Sequence, residues 1–446
     1  MSRAGPSSFG SRSLWQRISS PPPQLDGNSL SGPSQDASGK RQRKRKREPP
    51  PPEMLFTPWL DLCRHEFATC GSALDKLHYE ILAYERYMAP TSQEAEARSR
   101  AQTLIMNALR DLPCIGQLQL FGSTAIGIVT PTRSGDLCID GEHFLLCMLS
   151  DLDMVNVNPR LSAAGHRAII DALWAIGRRL RQQGIVHEFN VVKWARVPII
   201  TFTTRLEFGS FDVDIGVNNV DGLHGVPILR GYLSTMPALR PLLFVLKRFL
   251  AQRDLGNAAK SGLGGYGLMC LIIAFLRNNP QERPQSYIDS PVEERTLGIL
   301  LQDFFEFYGT IFDYETLFIA PEEGAYPPKV DGADWIGDID KAAYRLVVKC
   351  PVTPGHDVAK STGRTVQIIE AFQTGFSTLE NTAITDETVL GSLIGVPQNI
   401  LDRRDSLRHL MDDSGFGLSP PRDHRYDAYY RQRPPPLHKR PRHDYY

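Results

Sequence analysis

A handful of aspartates carry the chemistry open to this sequence. The stretch FGSTAIGIVTPTRSGDLCID, Phe121 to Asp140, sets a Gly122–Ser123 pair behind an apolar run, then a loop with Pro131, then Asp136 on a segment that reads as a strand. Further on, FDVDIGVNN supplies Asp212 and Asp214. Alternate residues of a strand face one side, so these two share a face. Carboxylates grouped at a cleft suit two divalent ions about 4 Å apart, which activate an attacking hydroxyl and neutralise a leaving pyrophosphate. Mg²⁺ is hard and calls for oxygen ligands. Around Asp136 the set is short: Ser134 stands two residues before it and Cys138 two after. A hydroxyl is a weak neutral ligand, and a thiol is a soft one. Asp140 lies on the same strand face but about 13 Å along it, too far to share ions with Asp136, whereas Asp212 and Asp214 are about 7 Å apart. Asp212 reads either as a helper at a second ion or, preferably, as an ordinary strand residue. The expectation is a depleted metal site, in a slow enzyme or in a protein that keeps the fold without turnover.

These residues need a sheet to position them. GQLQLFGS alternates as a strand, GDLCIDGEHFLLCML is a second strand region, and ARVPIITFTT and FGSFDVDIGV are β-rich. Between them AAGHRAIIDALWAIGRRLRQQ has the spacing of an amphipathic helix. Mixed strands and helices over 113–225 predict one small α/β domain. Before it, Leu74, Leu77, Ile81, Tyr84 and Met88 line one face of a helix, and Pro90-Thr91-Ser92 start another that carries Ala101, Leu104, Ile105, Ala108 and Leu109. Residues 54–112 are therefore helices that lead into the sheet and pack with it. After Gly225 the strands stop, and apolar residues at helical spacing predict a mostly helical domain over 226–400.

Lys and Arg total 50 and Asp and Glu total 50 in 446 residues, a balance that hides basic arms. Residues 1–53 are rich in Ser, Pro, Gly and charge and cannot bury enough apolar surface to order themselves. Within them KRQRKRKR, Lys40 to Arg47, reads as a nuclear-import signal or as a solvated tail that sticks weakly to nucleic acid, with import preferred. Residues 401–446 read as a disordered basic-aromatic tail. In it Tyr426, Tyr429, Tyr430, Tyr445 and Tyr446 lie among arginines and lysines. Rings among phosphate-binding cations suit single-stranded RNA, and a solubilising tail is the plain alternative. The seven cysteines form no CxxC pair, which suits reduced, mostly buried thiols in an intracellular protein. The N-terminus has no long apolar segment for secretion, and a mitochondrial presequence stays open. The longest apolar run, Tyr266 to Leu276, is too short to cross a bilayer of roughly 30 Å, so no membrane association is expected.

Seven blocks occur in order: FGSTAIGIVTP followed by DLCI, ARVPII, VDIGVNNVDGLHG, LLFVLKRFLAQRDL, SGLGGYGLMCLIIAFL, LGILLQDFFEFYG and PGHDVAKST. The chain, over roughly 73–385, resembles the template-independent poly(A) RNA polymerases of nuclear RNA surveillance, within the DNA polymerase beta-like nucleotidyltransferase superfamily. The resemblance implies an α/β palm nucleotidyltransferase domain, a mostly α-helical central (PAP-associated) domain and disordered N- and C-terminal tails. It implies adenylate addition from ATP to RNA 3′ ends with Mg²⁺ or Mn²⁺, in the nucleus. A zinc-knuckle RNA-binding protein and an RNA helicase are the partners implied.

Residue by residue, it places Gly122 and Ser123 on the triphosphate. Asp136 matches the second metal carboxylate and Asp214 the third, which helps deprotonate the RNA 3′-hydroxyl. The first carboxylate falls on Ser134. Lys247 matches the triphosphate lysine; Gly222 to Gly225 form the loop near the ribose. Ser261 and Tyr266 match a hydroxyl and a base-stacking ring, with packing an equal reading for Tyr266. His356 and Asp357 fall in the nucleotide-recognition loop. The family usually has Asn where His356 stands, which leaves ATP and UTP both open. The alternative function is a catalytically impaired relative acting as an RNA- or partner-binding scaffold.

Overall fold

The structure is a computed structural model, and it describes residues 54–126, 128, 152–194, 197–218, 220–413 and 415–417. Ser134, Asp136, Cys138, Asp140, the basic run 40–47 and the tyrosine-rich tail lie outside the described residues.

Two cores build the described part. A short strand β1 (Leu55–Phe56) is followed by helices α1 (Ala73–Met88) and α2 (Ser92–Leu109). Ser72 caps α1 by accepting from the Asp75 N–H. Thr91 and Glu94 form a reciprocal capping box on α2, two otherwise orphaned donors satisfied at once. Then come β2 (Gln117–Leu120), α3 (Gly122–Ile126), β3 (Leu152–Val157), α4 (Pro159–Ala164), α5 (His166–Gln182), β4 (Val186–Val192), β5 (Ile199–Thr204) and β6 (Asp212–Val217). The strands form one sheet in the order β2-β3-β6-β5-β4. The β3–β6 pair is parallel, and the other neighbours are antiparallel.

Alternation gives this sheet two different faces. Leu152, Met154, Val213, Ile215, Ile200 and Phe202 point to one side, where they pack with Ala97, Ala101, Ile105 and Leu109 of α2 and Leu173, Ile176 and Leu180 of α5. The intervening residues Asp153, Asp214, Thr201 and Asn190 sit at matched register positions across four strands, so they share the other face.

The second core is helical. α6 (Asp221–Thr235), α7 (Leu239–Ala251), α8 (Gly265–Asn278), α9 (Leu297–Glu306) and α10 (Thr365–Asn381) follow. Phe244, Phe249, Leu271, Phe304, Phe305 and Phe372 are among its buried residues. The two helices ahead of the sheet divide between the cores: α1 packs into the helical one through Leu77, Ile81 and Tyr84, and α2 into the palm. The architecture is a palm with a mixed sheet beside a helical domain.

Two differences from the sequence reading concern boundaries. The run 135–149, expected to carry the second strand, lies outside the described residues, and a strand not anticipated runs over 152–157. At the other end, residues 401–412 are not tail. After a two-residue strand β7 (Val396–Pro397), which pairs with β1, helix α11 runs from Gln398 to Asp412. Leu407 enters the palm core, and Arg404 pairs with the capping residue Glu94 of α2 at 2.8 Å. A polar helix is thus held by two buried apolar residues, Ile400 and Leu407, and a largely buried ion pair. Among the described residues Cys63, Cys70, Cys114, Cys270 and Cys350 are free thiols, and no helix is long and apolar enough to cross a membrane.

Candidate active site

A cleft of about 490 Å³ opens between palm and helical domain. Its size is that of a small-molecule site. Its lining includes Gly122, Ser123, Asp153, Gly222, Gly225, Lys247, Tyr266 and His356. Seven of these eight are residues singled out above. Asp153 is not.

On the palm side the chain turns from β2 into α3 at Gly122, whose φ of 64° lies in the left-handed region. A Cβ there would also collide with the Asp153 carboxylate, so only glycine serves. The Phe121 N–H donates to the Asp153 carbonyl at 3.0 Å, and Ser123 accepts from the Ile128 N–H at 3.0 Å. The turn is therefore seated directly on β3. Gly222, in the first turn of α6, packs so closely on the Phe121 ring that a Cβ would stand 2.7 Å from it. The start of α6 and the Gly-Ser turn are locked together by that contact.

Asp153 and Asp214 are register partners in the parallel β3–β6 ladder. Neighbouring strands lie about 4.8 Å apart, and paired residues project from one face, so the two carboxylates are neighbours, Asp153 lining the cleft and Asp214 beside it on β6 without being among the lining residues. β6 has β3 on one side and β5 on the other, and Asp136 lies outside the described residues. The signal for Asp153 was in the sequence: SDLDMVNV, Ser150 to Val157, has aspartates at 151 and 153 ahead of an apolar strand. Asp151 lies outside the described residues. Asp212, by contrast, is buried and accepts from the Thr203 hydroxyl at 2.7 Å, as suits a strand residue spent on its neighbour. The chemistry of two carboxylates in a cleft fits a hard divalent cation.

The opposite wall is made by the helical domain. Lys247 is the single residue of Pro241–Leu250 that is not buried, so α7 presents its ammonium stem from a rigid apolar seam. Tyr266 opens α8, with its hydroxyl 3.3 Å from Cys350 Sγ. Burial holds the Tyr266 phenol well above its usual range, so it stays neutral. Cys350, Val352, Thr353 and His356 complete this wall.

His356 and Asp357 are adjacent yet do different things. Asp357 is buried, and its carboxylate accepts from Arg345 at 2.8 Å and from the N–H groups of Val348 and Ala359 at 3.1 and 2.9 Å. It pins the loop that presents His356 to the cleft. Beneath it the fully buried Lys329 donates to the carbonyls of Tyr314, Ala342 and Arg345. Burial pulls its ammonium down to about 8. Ser261 is exposed, in a left-handed turn, and its carbonyl accepts from Arg364 N–H at 3.0 Å; it is not among the cleft residues.

The chain matches two family models: "Poly(A) RNA polymerase, mitochondrial-like, central palm domain" over residues 77–234, and "Cid1 family poly A polymerase" over residues 296–356. It is 30% identical over 327 residues to "Poly(A) RNA polymerase protein 1" of Eremothecium gossypii, covering 73% of this chain and 47% of that one. The chain spans about half the length of the curated relatives it matches. Among solved structures it resembles the polymerase core of TRAMP, a surveillance complex for RNA, with a TM-score of 0.62 and 25% identity over 76% of this chain and 98% of that one. It also shares the fold of the Cid1 poly(U) polymerase solved with MgGTP bound, with a TM-score of 0.54 and 19% identity over 72% of this chain and 98% of that one. By domain order, by fold and by these likenesses, the chain is similar to the non-canonical, Cid1-type poly(A) RNA polymerases and has the nucleotidyltransferase fold.

Proposed function

We propose that this protein adds adenylates from ATP to the 3′ ends of RNA without a template, in nuclear RNA processing, surveillance or decay. The observation that carries the reading is the pairing of Asp153 with Asp214 beneath the Gly122–Ser123 turn, opposite Lys247. Asp153 and Asp214 would hold divalent metal, Mg²⁺ or Mn²⁺, with Asp151 as the further carboxylate two residues before Asp153 in sequence. When bound, such ions lower the pKa of an attacking hydroxyl and offset charge on the triphosphate. In this reading Asp153 takes the role that the resemblance gave Asp136, and the carboxylate two residues before it is Asp151 rather than Ser134.

The chain's own groups do the rest. Gly122 lets the backbone come close to the triphosphate, and Ser123 offers it a hydroxyl. Lys247 offers a point charge on a flexible stem, which follows phosphates as their geometry changes. Tyr266 presents a neutral ring for the base, and His356 reads the base edge from a loop that Asp357 holds rigid. Asp214 sits where it can orient the RNA 3′-hydroxyl.

The likeness to a surveillance-complex core supports partners for RNA capture, of which a zinc-knuckle RNA-binding protein and an RNA helicase are the candidates, and a nuclear location. The basic run Lys40 to Arg47 would serve import. The test is extension of a radiolabelled oligo(A) primer with ATP or UTP and Mn²⁺. Ladders with ATP, weaker with UTP, support the proposal. ATP binding without any extension would replace it by the scaffold reading.

A further inference from the structure

β4 is the outer strand of the sheet, and the hairpin to β5 ends at Lys193 and Trp194. Trp194 is 86% exposed, more than any other large apolar side chain among the described residues. Tryptophan is usually well covered, because its ring has so much apolar area to lose from water. Here it stands out with the Lys193 ammonium 5.0 Å from the ring centroid. Three residues later Val197 lines the cleft, so the hairpin tip lies at its rim.

The register of the sheet shows what would pass this tip. Asp153, Asp214, Thr201 and Asn190 form a row across the cleft face from the carboxylates to the β4 edge. Every member can bind cations or make hydrogen bonds, and Asn190 is exposed. Two residues beyond Asn190 the strand ends and leads to Lys193 and Trp194. A chain with its 3′-hydroxyl at Asp214 has a polar track along this row, and an aromatic ring within about 13 Å of its last member, four residues on.

We propose that Trp194 is a stacking platform for a base of the single-stranded RNA just upstream of its 3′ end, with Lys193 meeting a neighbouring phosphate. This rests on the polymerase reading of the cleft and adds a positioning residue for the primer. Stacking accepts any base, since each has a π face, so Trp194 sets primer affinity without setting sequence.

The test uses the full chain and fluorescently labelled oligo(A), read by anisotropy. Trp194→Ala is expected to weaken binding about 5- to 150-fold, the range for loss of one base–aromatic stack. Trp194→Phe should keep most of the affinity, and the KM for ATP should not move in either variant. Trp174→Phe is the control. Trp174 packs edge-on against Phe189 at 5.5 Å, and Phe189, next to Asn190 on β4, faces the other side of the sheet. Equal affinity of wild type and Trp194→Ala, an equal loss in the control, or no oligo(A) binding by the wild type would overturn the proposal. Trp194-dependent binding without primer extension would overturn the polymerase reading instead, so the two failures are distinct.

Discussion

The two walls of the cleft are built in opposite ways. The palm wall brings its charges together by sheet register: Asp153 and Asp214 meet because two strands pair there, and the Gly122 turn closes over them. The helical wall brings its groups in on a dense apolar scaffold and pins its one loop with buried polar contacts, Asp357 to Arg345 and Lys329 to three carbonyls. A wall made by register can hold ions at a fixed spacing. A wall made by packing can hold a base and phosphates in a shaped pocket. The difference predicts that damage to the palm wall cuts turnover, while damage to the helical wall cuts binding or stability.

The largest expected effect is on the palm side. Asp214→Ala should lower kcat on the order of a thousandfold, since a metal's electrostatic help is worth several kcal/mol. Its melting temperature should stay near that of the wild type, because Asp214 is only half-buried. A variant that loses stability rather than turnover would break the comparison.

On the other wall, Asp357→Ala leaves the Arg345 guanidinium, 25% exposed, without its carboxylate, and orphans two N–H groups. Removing one partner of a buried pair costs about 3–5 kcal/mol, which urea unfolding would register. Its KM for ATP should rise with kcat less affected, as the His356 loop loosens.

Lys247→Ala is expected to raise the KM for ATP about 10- to 150-fold, the loss of a hydrogen bond to a charged group. Isothermal titration with a non-hydrolysable ATP analogue separates this from turnover.

The smallest effect sharpens the contrast through pH. His78 is buried in α1, where its ring accepts from the Leu297 N–H at 3.4 Å, and burial, helped by Arg295, pulls it down to about 4. The folded chain therefore resists its protonation. The stability it gives is whole above the ordinary value near 6.5 and is lost as pH falls toward 4, roughly 2 kcal/mol of it by pH 5. Urea midpoints at pH 7 and 5 should differ in the wild type, and less in His78→Gln.

Much of this was legible in the sequence, for identifiable reasons. Helical spacing marked α1 and α2, and the Gly-Ser pair, Asp214, Lys247, Tyr266 and His356 stand in blocks whose order is distinctive. Asp153 was missed because the first carboxylate after Pro131 is Asp136, although 151–153 carry the same one-residue spacing that made Asp212 and Asp214 noticeable. Choosing between them takes register, which a single strand does not display. Asp357 could not be separated from His356 because its partner Arg345 is twelve residues away in a loop. α11 read as tail because only Ile400 and Leu407 are buried in it; its hold on the palm comes from Arg404 and Glu94, 310 residues apart.

Which aspartate works with Asp214, Asp153 or Asp136, decides the proposed metal site. The direct measurement is single-turnover adenylate transfer to a radiolabelled oligo(A) primer by Asp153→Ala and by Asp136→Ala, alongside the wild type. Transfer lost in Asp153→Ala and kept in Asp136→Ala is the result expected. Wild-type transfer by Asp153→Ala would contradict it.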